Sequence, residues 1–224
     1  MTAYEWLQAQ DWDVRYREQE ERLKKGVLRR FGKRALDIVA SFLGLLVLII
    51  PFLIVVIVIK RDSPGPAFFR QERVGRHGEI FRILKFRTMH PGSDVPGQEI
   101  TVRDDPRITS SGDFLRRYKI DELPQLVNVL VGEMSLVGVR PEVPAYASIY
   151  PEAYRVLLTE RPGITDMASL TYRNESDLLS SSSDPHRTFV DEIMPEKLKL
   201  SLTYQEEATL WSDLKLILKT VFGR

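Results

Sequence analysis

The longest apolar run in the chain covers residues 38–59, and its length predicts a helix embedded in a membrane. A helix that crosses the hydrocarbon core of a bilayer needs about 20 such residues. Residues 1–34 are mostly polar, whereas a secretory signal begins with only a short basic stretch. The pattern therefore predicts a charged helical extension over residues 1–34, a retained membrane helix over residues 35–60 and a globular domain over residues 61–224.

Two features of the apolar run bear on whether it crosses the membrane. Pro51 interrupts it, and basic residues flank it on both sides, which by the positive-inside rule places both ends in the cytoplasm. A re-entrant helix broken at Pro51 meets both conditions, because proline removes a backbone donor and bends a helix. A single-pass helix with a mild kink fits the length equally well.

Two short strands are predicted after the membrane helix. Residues 67–74 and 79–87 have strand composition, and turn residues bound them. Lys85 and Arg87 lie two apart, so on a strand they share a face. Two cations on one face bind a phosphate well. A solvated basic edge that discourages aggregation is the alternative.

The rest of the globular domain mixes loops with helices. Residues 90–104 contain glycine and proline signals without an apolar period, which predicts a loop that either closes over a nucleotide or merely connects elements. A serine-rich loop is predicted over residues 177–184. Apolar residues from 210 to 222 recur every three or four residues, which predicts an amphipathic helix. This helix either packs on the core or lies in the membrane interface. Together these elements predict a compact, helix-rich α/β domain.

Two adjacent carboxylates, Asp121 and Glu122, precede a predicted helix over residues 124–131. Pro124 suits the first turn of a helix, so Asp121 is predicted at or just before the N-cap, where the positive helix end favours an ionised carboxylate. Such a group is either a simple cap or an anionic nucleophile. Arg116 lies one to one and a half turns earlier, where it either reaches the same pocket or pairs with Asp121 in a salt bridge.

Composition narrows the chemistry. The 224 residues carry a formal net charge of +1, which gives no general reason to expect a nucleic-acid partner. The absence of cysteine excludes disulfides and thiolate chemistry and fits a reducing compartment. The 3 histidines are scattered and do not form a zinc-binding pattern, whereas a hard cation held by carboxylates is compatible with the sequence.

Several motifs occur in order from Lys33 onward. They are Lys33-Arg34-Ala35-Leu36-Asp37, Lys85-Phe86-Arg87-Thr88-Met89, Asp105-Pro106-Arg107-Ile108-Thr109, Phe114-Leu115-Arg116, Asp121-Glu122-Leu123-Pro124-Gln125-Leu126, Gly132 to Glu142, and Arg161-Pro162-Gly163-Ile164-Thr165. In this order they resemble the bacterial sugar transferase family, the monotopic phosphoglycosyl transferases. Members of that family are anchored by a re-entrant helix, so the resemblance favours re-entry.

The resemblance implies a reaction and a place for it. The family moves a phospho-sugar from a nucleotide diphosphate sugar, by default a UDP-sugar, to polyprenyl phosphate and releases a nucleoside monophosphate. Asp121 is then implied to be the nucleophile that forms a covalent phospho-sugar enzyme, with Glu122 in a supporting role. The implied cofactor is Mg²⁺ with Asp121 as its ligand, and the implied location is the cytoplasmic face of the bacterial inner membrane.

The resemblance also implies a substrate site around Arg140 and Pro141, with Arg140 gripping the diphosphate oxygens. With Lys85, Arg87 and Arg116 they complete the predicted substrate-binding set.

The chain departs from the common family form at three places: Ile50 precedes the membrane proline where serine is frequent, Val139 replaces a proline before the arginine, and residues 166–170 differ from the usual Gly-Trp-Ala-Gln-Val. We expect the third difference to bear on sugar choice. Two other classes share the predicted features. A membrane-anchored phosphohydrolase would use the same carboxylate and metal, and a non-catalytic scaffold would need Asp121 only as a cap.

Overall fold

Helices make up most of the structure, a computed structural model that describes residues 1–93, 100–102 and 104–223. The helices are α1 (Ala3–Gln8), α2 (Trp12–Lys25), α3 (Val27–Asp62), α4 (Ser110–Arg117), α5 (Gln125–Val131), α6 (Pro144–Ala147), α7 (Pro151–Leu157), α8 (Met167–Thr171), α9 (Glu175–Ser180), α10 (Pro185–Thr188), α11 (Met194–Glu207) and α12 (Leu210–Phe222). Single 3-10 or π turns cover Arg76–Gly78, Ile120–Glu122 and Phe189–Ile193. A helix-rich fold with short strands, as predicted, is confirmed.

Two small sheets accompany these helices. β1 (Phe68–Val74) and β2 (Ile80–Phe86) form an antiparallel pair, and β3 (Ser135–Val137) runs parallel to β4 (Gly163–Thr165). β1 and β2 confirm the two strands predicted from composition. The second sheet was not predicted, because its strands are only three residues long and come from distant parts of the chain.

Some predicted boundaries are wrong. The sequence predicts a turn over residues 105–113, but α4 begins inside it at Ser110, because the Thr109 hydroxyl accepts a hydrogen bond from the Gly112 backbone and caps the helix. α9 occupies part of the predicted serine-rich loop, where Leu179 is buried in the core. The predicted loop over residues 90–104 falls largely on 94–99 and 103, which lie outside the described residues.

α3 lies lengthwise along the globular domain, with one face turned inward. Its less exposed residues between Asp37 and Ile59 follow the helical repeat and form one stripe. They are Asp37, Ala40, Ser41, Gly44, Leu45, Leu48, Phe52, Val55, Val56 and Ile59. The opposite face is apolar and exposed, with Val47 and Ile50 among its members. Within the described residues, this is the one helix long and apolar enough to cross a membrane.

Two polar residues near the start of α3 attach it to the domain. The Arg34 guanidinium donates to the carbonyls of Val129 at 2.7 Å and Leu130 at 2.9 Å in the last turn of α5, where carbonyls run out of intrahelical donors. The Asp37 carboxylate accepts a hydrogen bond of 2.9 Å from the backbone of Leu136 in β3. The first half of α3 therefore holds α5 and β3 in place.

Arg87 fixes the other end of α3. Its guanidinium donates to the carbonyls of Ser63 and Pro64, both at 2.8 Å, and is only 6% exposed. In the last turn of α3, Ile59 is buried against Phe86. The prediction that Arg87 binds a phosphate is corrected here, because its donors are directed at main-chain carbonyls just beyond the helix.

α3 continues through Pro51, so the predicted break at this residue is not confirmed. Pro51 itself is exposed in the structure. The ends of α3, at Val27 and Asp62, also lie beyond the predicted limits of residues 35–60.

The largest apolar core lies among α1, α7 and α11. Leu157, Leu198 and Leu202 are buried there together with Leu7 from the N-terminal extension. The extension is helical, as predicted, and Leu7 ties it to the globular domain.

α12 has an inner and an outer face, as its amphipathic pattern predicted. Asp213 is buried on the inner face, where it accepts hydrogen bonds of 2.7 Å from the Lys33 amine and from the Tyr204 hydroxyl. Trp211 and Phe222 are exposed on the helix. Packing on the core is thus confirmed for the inner face.

Replacing Arg87 with alanine is expected to lower stability by roughly 2–4 kcal/mol, because it removes a buried guanidinium that donates to the buried Ser63 carbonyl. For a chain of this size the thermal midpoint should fall by about 10 °C. Arg82→Ala is the matched control, since Arg82 lies in β2, shortly before Arg87, with a 68% exposed side chain. Thermal unfolding in one detergent compares the two, and equal midpoints would contradict the role of Arg87.

Candidate active site

The two predicted catalytic carboxylates lie in the short turn Ile120–Glu122, between α4 and α5. Both are buried, with Asp121 8% and Glu122 9% exposed. Neighbouring residues on a 3-10 turn point roughly 120° apart, so the two side chains meet different surroundings. Their hydrogen bonds and charges differ accordingly.

Glu122 is the centre of a cluster of charges. One of its oxygens accepts from the Lys85 amine at 2.9 Å, and both oxygens accept from the Arg140 guanidinium. Burial alone would raise the pKa of Glu122, but the charges of Arg140 and Lys85 hold that pKa well below its usual value. Glu122 in turn raises the pKa of Arg140. The structure therefore brings together three of the predicted site residues around one ionised carboxylate.

Asp121 has the opposite environment. Burial and, next, the charge of Glu122 raise the pKa of Asp121, while Lys85 and Arg116 partly oppose this shift. One carboxylate oxygen, Oδ1, is buried without a hydrogen-bond partner in the described part of the chain. The expected cap is wrong: Pro124 occupies the N-cap of α5 and makes no side-chain capping bond. Asp121 is thus a buried acid with one oxygen that forms no hydrogen bond among the described residues.

Arg116 lies on α4, beside this carboxylate. Among the described residues its guanidinium forms no hydrogen bond and no ion pair, although the charges of Asp121 and Asp105 act on it. Burial lowers its pKa. The salt bridge considered from the sequence is therefore not formed, and Arg116 is available to an anionic ligand.

Arg73 is a site residue that the sequence did not reveal. It donates to the Pro141 carbonyl at 3.0 Å and pairs with Glu142 at 3.4 Å, so it fixes the loop that carries Arg140. Arg73 lies opposite Phe81 in the hairpin, which puts it on the same face as Lys85 two repeats along β2. The signal available in the sequence was the alternation of side chains between the two faces of each strand.

Gln125 is a second residue that sequence reasoning missed. It begins α5, is 1% exposed, and its amide nitrogen has no partner in the described structure. Asn128 follows three residues later, and its amide binds the backbone of Leu84 and Arg82 in β2. Because residues three apart on a helix share a face, Gln125 lies on the side of α5 that meets β2. No sequence signal distinguishes it from a packed polar residue.

A magnesium site can be tested against these donors. Among the residues that the structure describes, no group of three or more histidines and carboxylates is placed to hold a metal. Glu122 is engaged by two cations, which leaves the unpartnered oxygen of Asp121 as a ligand. Mg²⁺ commonly binds through one or two carboxylates plus substrate phosphates and water. The donor set fits such an ion but not an all-protein cage.

Comparison with known proteins gives consistent matches. The chain matches the model of the bacterial sugar transferase family over residues 28–223. It is 42% identical over 195 residues to UDP-glucose:undecaprenyl-phosphate glucose-1-phosphate transferase of Caulobacter vibrioides, covering 84% of this chain and 68% of that relative. It is 31% identical over 214 residues to the exopolysaccharide production protein ExoY of Sinorhizobium fredii, covering 88% of each.

A further relative is UDP-N-acetylgalactosamine-undecaprenyl-phosphate N-acetylgalactosaminephosphotransferase of Aeromonas hydrophila. The two are 34% identical over 196 residues, which is 85% of this chain but 43% of the relative. The chain likewise spans 41% of the galactosyl transferase CpsE of Streptococcus agalactiae. It therefore spans less than half the length of some relatives that it matches.

Asp121→Asn and Glu122→Gln are expected to shift stability in opposite directions. The pKa of Asp121 is raised in the folded state, so stability falls as pH rises from its ordinary value of 3.8 through the raised value. The asparagine side chain does not ionise, so Asp121→Asn removes this loss of stability and should raise the unfolding midpoint at neutral pH. The pKa of Glu122 is lowered, so its stabilisation is present above 4.5 and is lost as pH falls through the lowered value.

Glu122→Gln should therefore lower the unfolding midpoint at neutral pH. This decrease relative to wild type should become smaller at acid pH. Thermal unfolding of both variants across about pH 4 to 8 checks both signs. A lower midpoint for Asp121→Asn at neutral pH would contradict the account of the buried acid.

Proposed function

This chain belongs to the bacterial sugar transferase family, and we propose that it transfers a sugar phosphate from a UDP-sugar to undecaprenyl phosphate, releasing UMP. The observation that carries this proposal is the pairing of two carboxylates with different surroundings. Glu122 holds Lys85 and Arg140, while Asp121 keeps a buried oxygen without a partner. The cations held by Glu122 suit the binding of a diphosphate. The unpartnered oxygen of Asp121 suits a nucleophile. The named relatives act on UDP-sugars and undecaprenyl phosphate.

The reaction is proposed to occur in two displacements at one phosphorus. An Asp121 oxygen forms a bond to the phosphorus that carries the sugar, and the bond from that phosphorus to the bridging oxygen breaks, so UMP leaves. A phosphate oxygen of the lipid then attacks the same phosphorus, and the bond to Asp121 breaks. The product is a lipid diphosphate sugar, and the carboxylate is regenerated. Aspartyl phosphate intermediates are known chemistry for such a carboxylate.

The cations around the turn would bind the phosphates. Arg140 presents a planar fork suited to two phosphate oxygens, and Lys85 adds a point charge. Glu122 keeps both cations in position before the donor arrives, so less reorganisation is needed at the moment of reaction. Arg73 acts indirectly, because it holds the carbonyl of Pro141 beside Arg140. Arg116, without a partner in the described chain, would receive a second phosphate.

Mg²⁺, when bound, would supply positive charge that offsets the repulsion between two anionic substrates. Asp121 is the residue that would hold it. Burial and the charge of Glu122 raise the pKa of Asp121 while Lys85 and Arg116 lower it, so further positive charge at this turn would favour the ionised carboxylate.

Attachment to one leaflet is proposed for α3. Arg34 binds the end of α5, and Arg87 binds the other end of α3, so one domain holds both ends of the helix. A helix with both ends on the same domain does not carry its ends to opposite sides of a membrane. Its outer apolar face would be embedded from the cytoplasmic side, where the flanking basic residues favour both ends. A break at Pro51 remains a prediction about the helix in lipid.

Asp121→Asn is expected to lower UMP release and lipid transfer by at least about a thousandfold, since the amide is not a nucleophile. The measurement is UMP release from a panel of UDP-sugars, with Mg²⁺ and undecaprenyl phosphate each present or omitted. Arg117→Ala is the control, because Arg117 lies near the site with a 68% exposed side chain.

The panel also identifies the sugar, which the relatives' names leave open among glucose, galactose and N-acetylgalactosamine. Full activity of Asp121→Asn would overturn the nucleophile assignment. Release of UMP and sugar phosphate to water, without dependence on lipid, would point instead to a phosphohydrolase.

The attachment to one leaflet predicts a labelling pattern. Because the natural chain has no cysteine, Arg30→Cys and Lys60→Cys each give a single reactive thiol at an exposed position flanking the apolar run. A membrane-impermeant maleimide should label both in inside-out vesicles and neither in intact spheroplasts. Labelling of the two positions from opposite sides would establish a spanning helix.

A further inference from the structure

α4 presents three different surfaces close to Asp121. Leu115 is buried against Ile59 and Phe86, so one face of α4 packs on the second half of α3. Arg116 lies among the charges of the active site without a hydrogen bond or ion pair in the described chain. Phe114 and Tyr118 are exposed beside them. The helix therefore places an apolar surface and a free cation side by side.

Phe114 and Tyr118 form an exposed aromatic pair. Their ring centroids are 4.8 Å apart, and the residues are 56% and 51% exposed. Pairs four residues apart on a helix stabilise it only by about 0.2–0.5 kcal/mol, which does not account for two large rings in water. Rings that remain this exposed next to a charged site are candidates for contact with a ligand.

The aromatic pair lies between the embedded helix and the catalytic turn. Leu115 joins α4 to Phe52, Val55 and Ile59 of α3, whose outer face is apolar. In the other direction, Tyr118 is three residues from Asp121, so their Cα atoms are at most about 11 Å apart. A long apolar molecule that leaves the membrane beside α3 would pass these rings before its end reached Asp121.

We propose that Phe114, Tyr118 and Arg116 form the binding site for the acceptor lipid. The two rings contact the isoprenoid units nearest the phosphate, and Arg116 binds the phosphate itself. An amphiphile with an anionic head and an apolar chain matches the free cation and the adjacent rings. The assignment rests on the proposed function, because it requires polyprenyl phosphate to be the second substrate.

The site would act only in the second displacement. The donor reacts with Asp121 before the lipid does, so loss of the rings should leave formation of the covalent intermediate unchanged. Loss of the rings should weaken only the binding of the acceptor lipid. If the pair instead stacks on the uridine ring, its loss should weaken binding of the donor. If the pair anchors the protein, its loss should weaken attachment to the bilayer.

The experiment compares wild type with the double variant Phe114→Ala/Tyr118→Ala. The expected result is a rise of about tenfold in the KM for undecaprenyl phosphate, at an unchanged KM for the UDP-sugar. Single-turnover UMP release without lipid should be unchanged, and so should sedimentation with vesicles of phosphatidylglycerol and phosphatidylethanolamine. Phe222→Ala is the matched control, since Phe222 is 77% exposed on α12.

The length of the acceptor's isoprenoid chain gives a second readout, which simple loss of fold would not produce. For an acceptor with a single isoprene unit, the wild type and the double variant should differ less than they do for undecaprenyl phosphate. Tyr118→Phe should behave as wild type, because the ring is retained.

An unchanged acceptor KM, in a variant that still transfers, would overturn the acceptor site while leaving the transferase intact. So would a rise confined to the donor KM, or a loss of vesicle binding that accounts for the whole effect. If wild type shows no lipid-dependent transfer from any donor, the proposed function fails, and the acceptor site fails with it.

Discussion

Main-chain carbonyls at helix ends need hydrogen-bond donors, and two arginines meet this need where α3 joins the domain. Arg34 binds the end of α5, and Arg87 binds the chain just beyond α3. An unpaired carbonyl is especially costly beside lipid, where water is not available as a substitute. These contacts set the position of α3 along the domain. They also set the position of α5, and so of the carboxylates before it.

The catalytic turn combines a satisfied acid with an unsatisfied one. Glu122 has three donors from Lys85 and Arg140, whereas Asp121 is buried with an oxygen left unpaired in the described structure. A satisfied ion pair is rigid, so it can hold Lys85 and Arg140, the cations proposed to bind substrate, in place. An unpaired buried carboxylate is unfavourable in the free protein, which is the arrangement expected of a group that acts on a ligand.

The active site depends on elements far apart in the chain. Lys85 comes from β2, Glu122 from the turn before α5 and Arg140 from the loop after β3, and Arg73 of β1 steadies that loop. Each of these elements contacts α3 or an element fixed to it. α3 is therefore part of the framework that shapes the site, in addition to its proposed role as a membrane anchor.

The sequence alone determined the elements whose signal is local. The long apolar run, the two strands of the hairpin and the amphipathic α12 follow from period and composition, and ordered motifs around Asp121 indicated the family. Tertiary structure decided which cations reach which partner. The sequence predicted that Lys85 and Arg87 share a strand face, yet β2 ends at Phe86, and Arg87 binds carbonyls near α3 while Lys85 binds Glu122. Spacing along a strand fixes the direction of a side chain, but the partner it meets comes from distant segments brought together by packing.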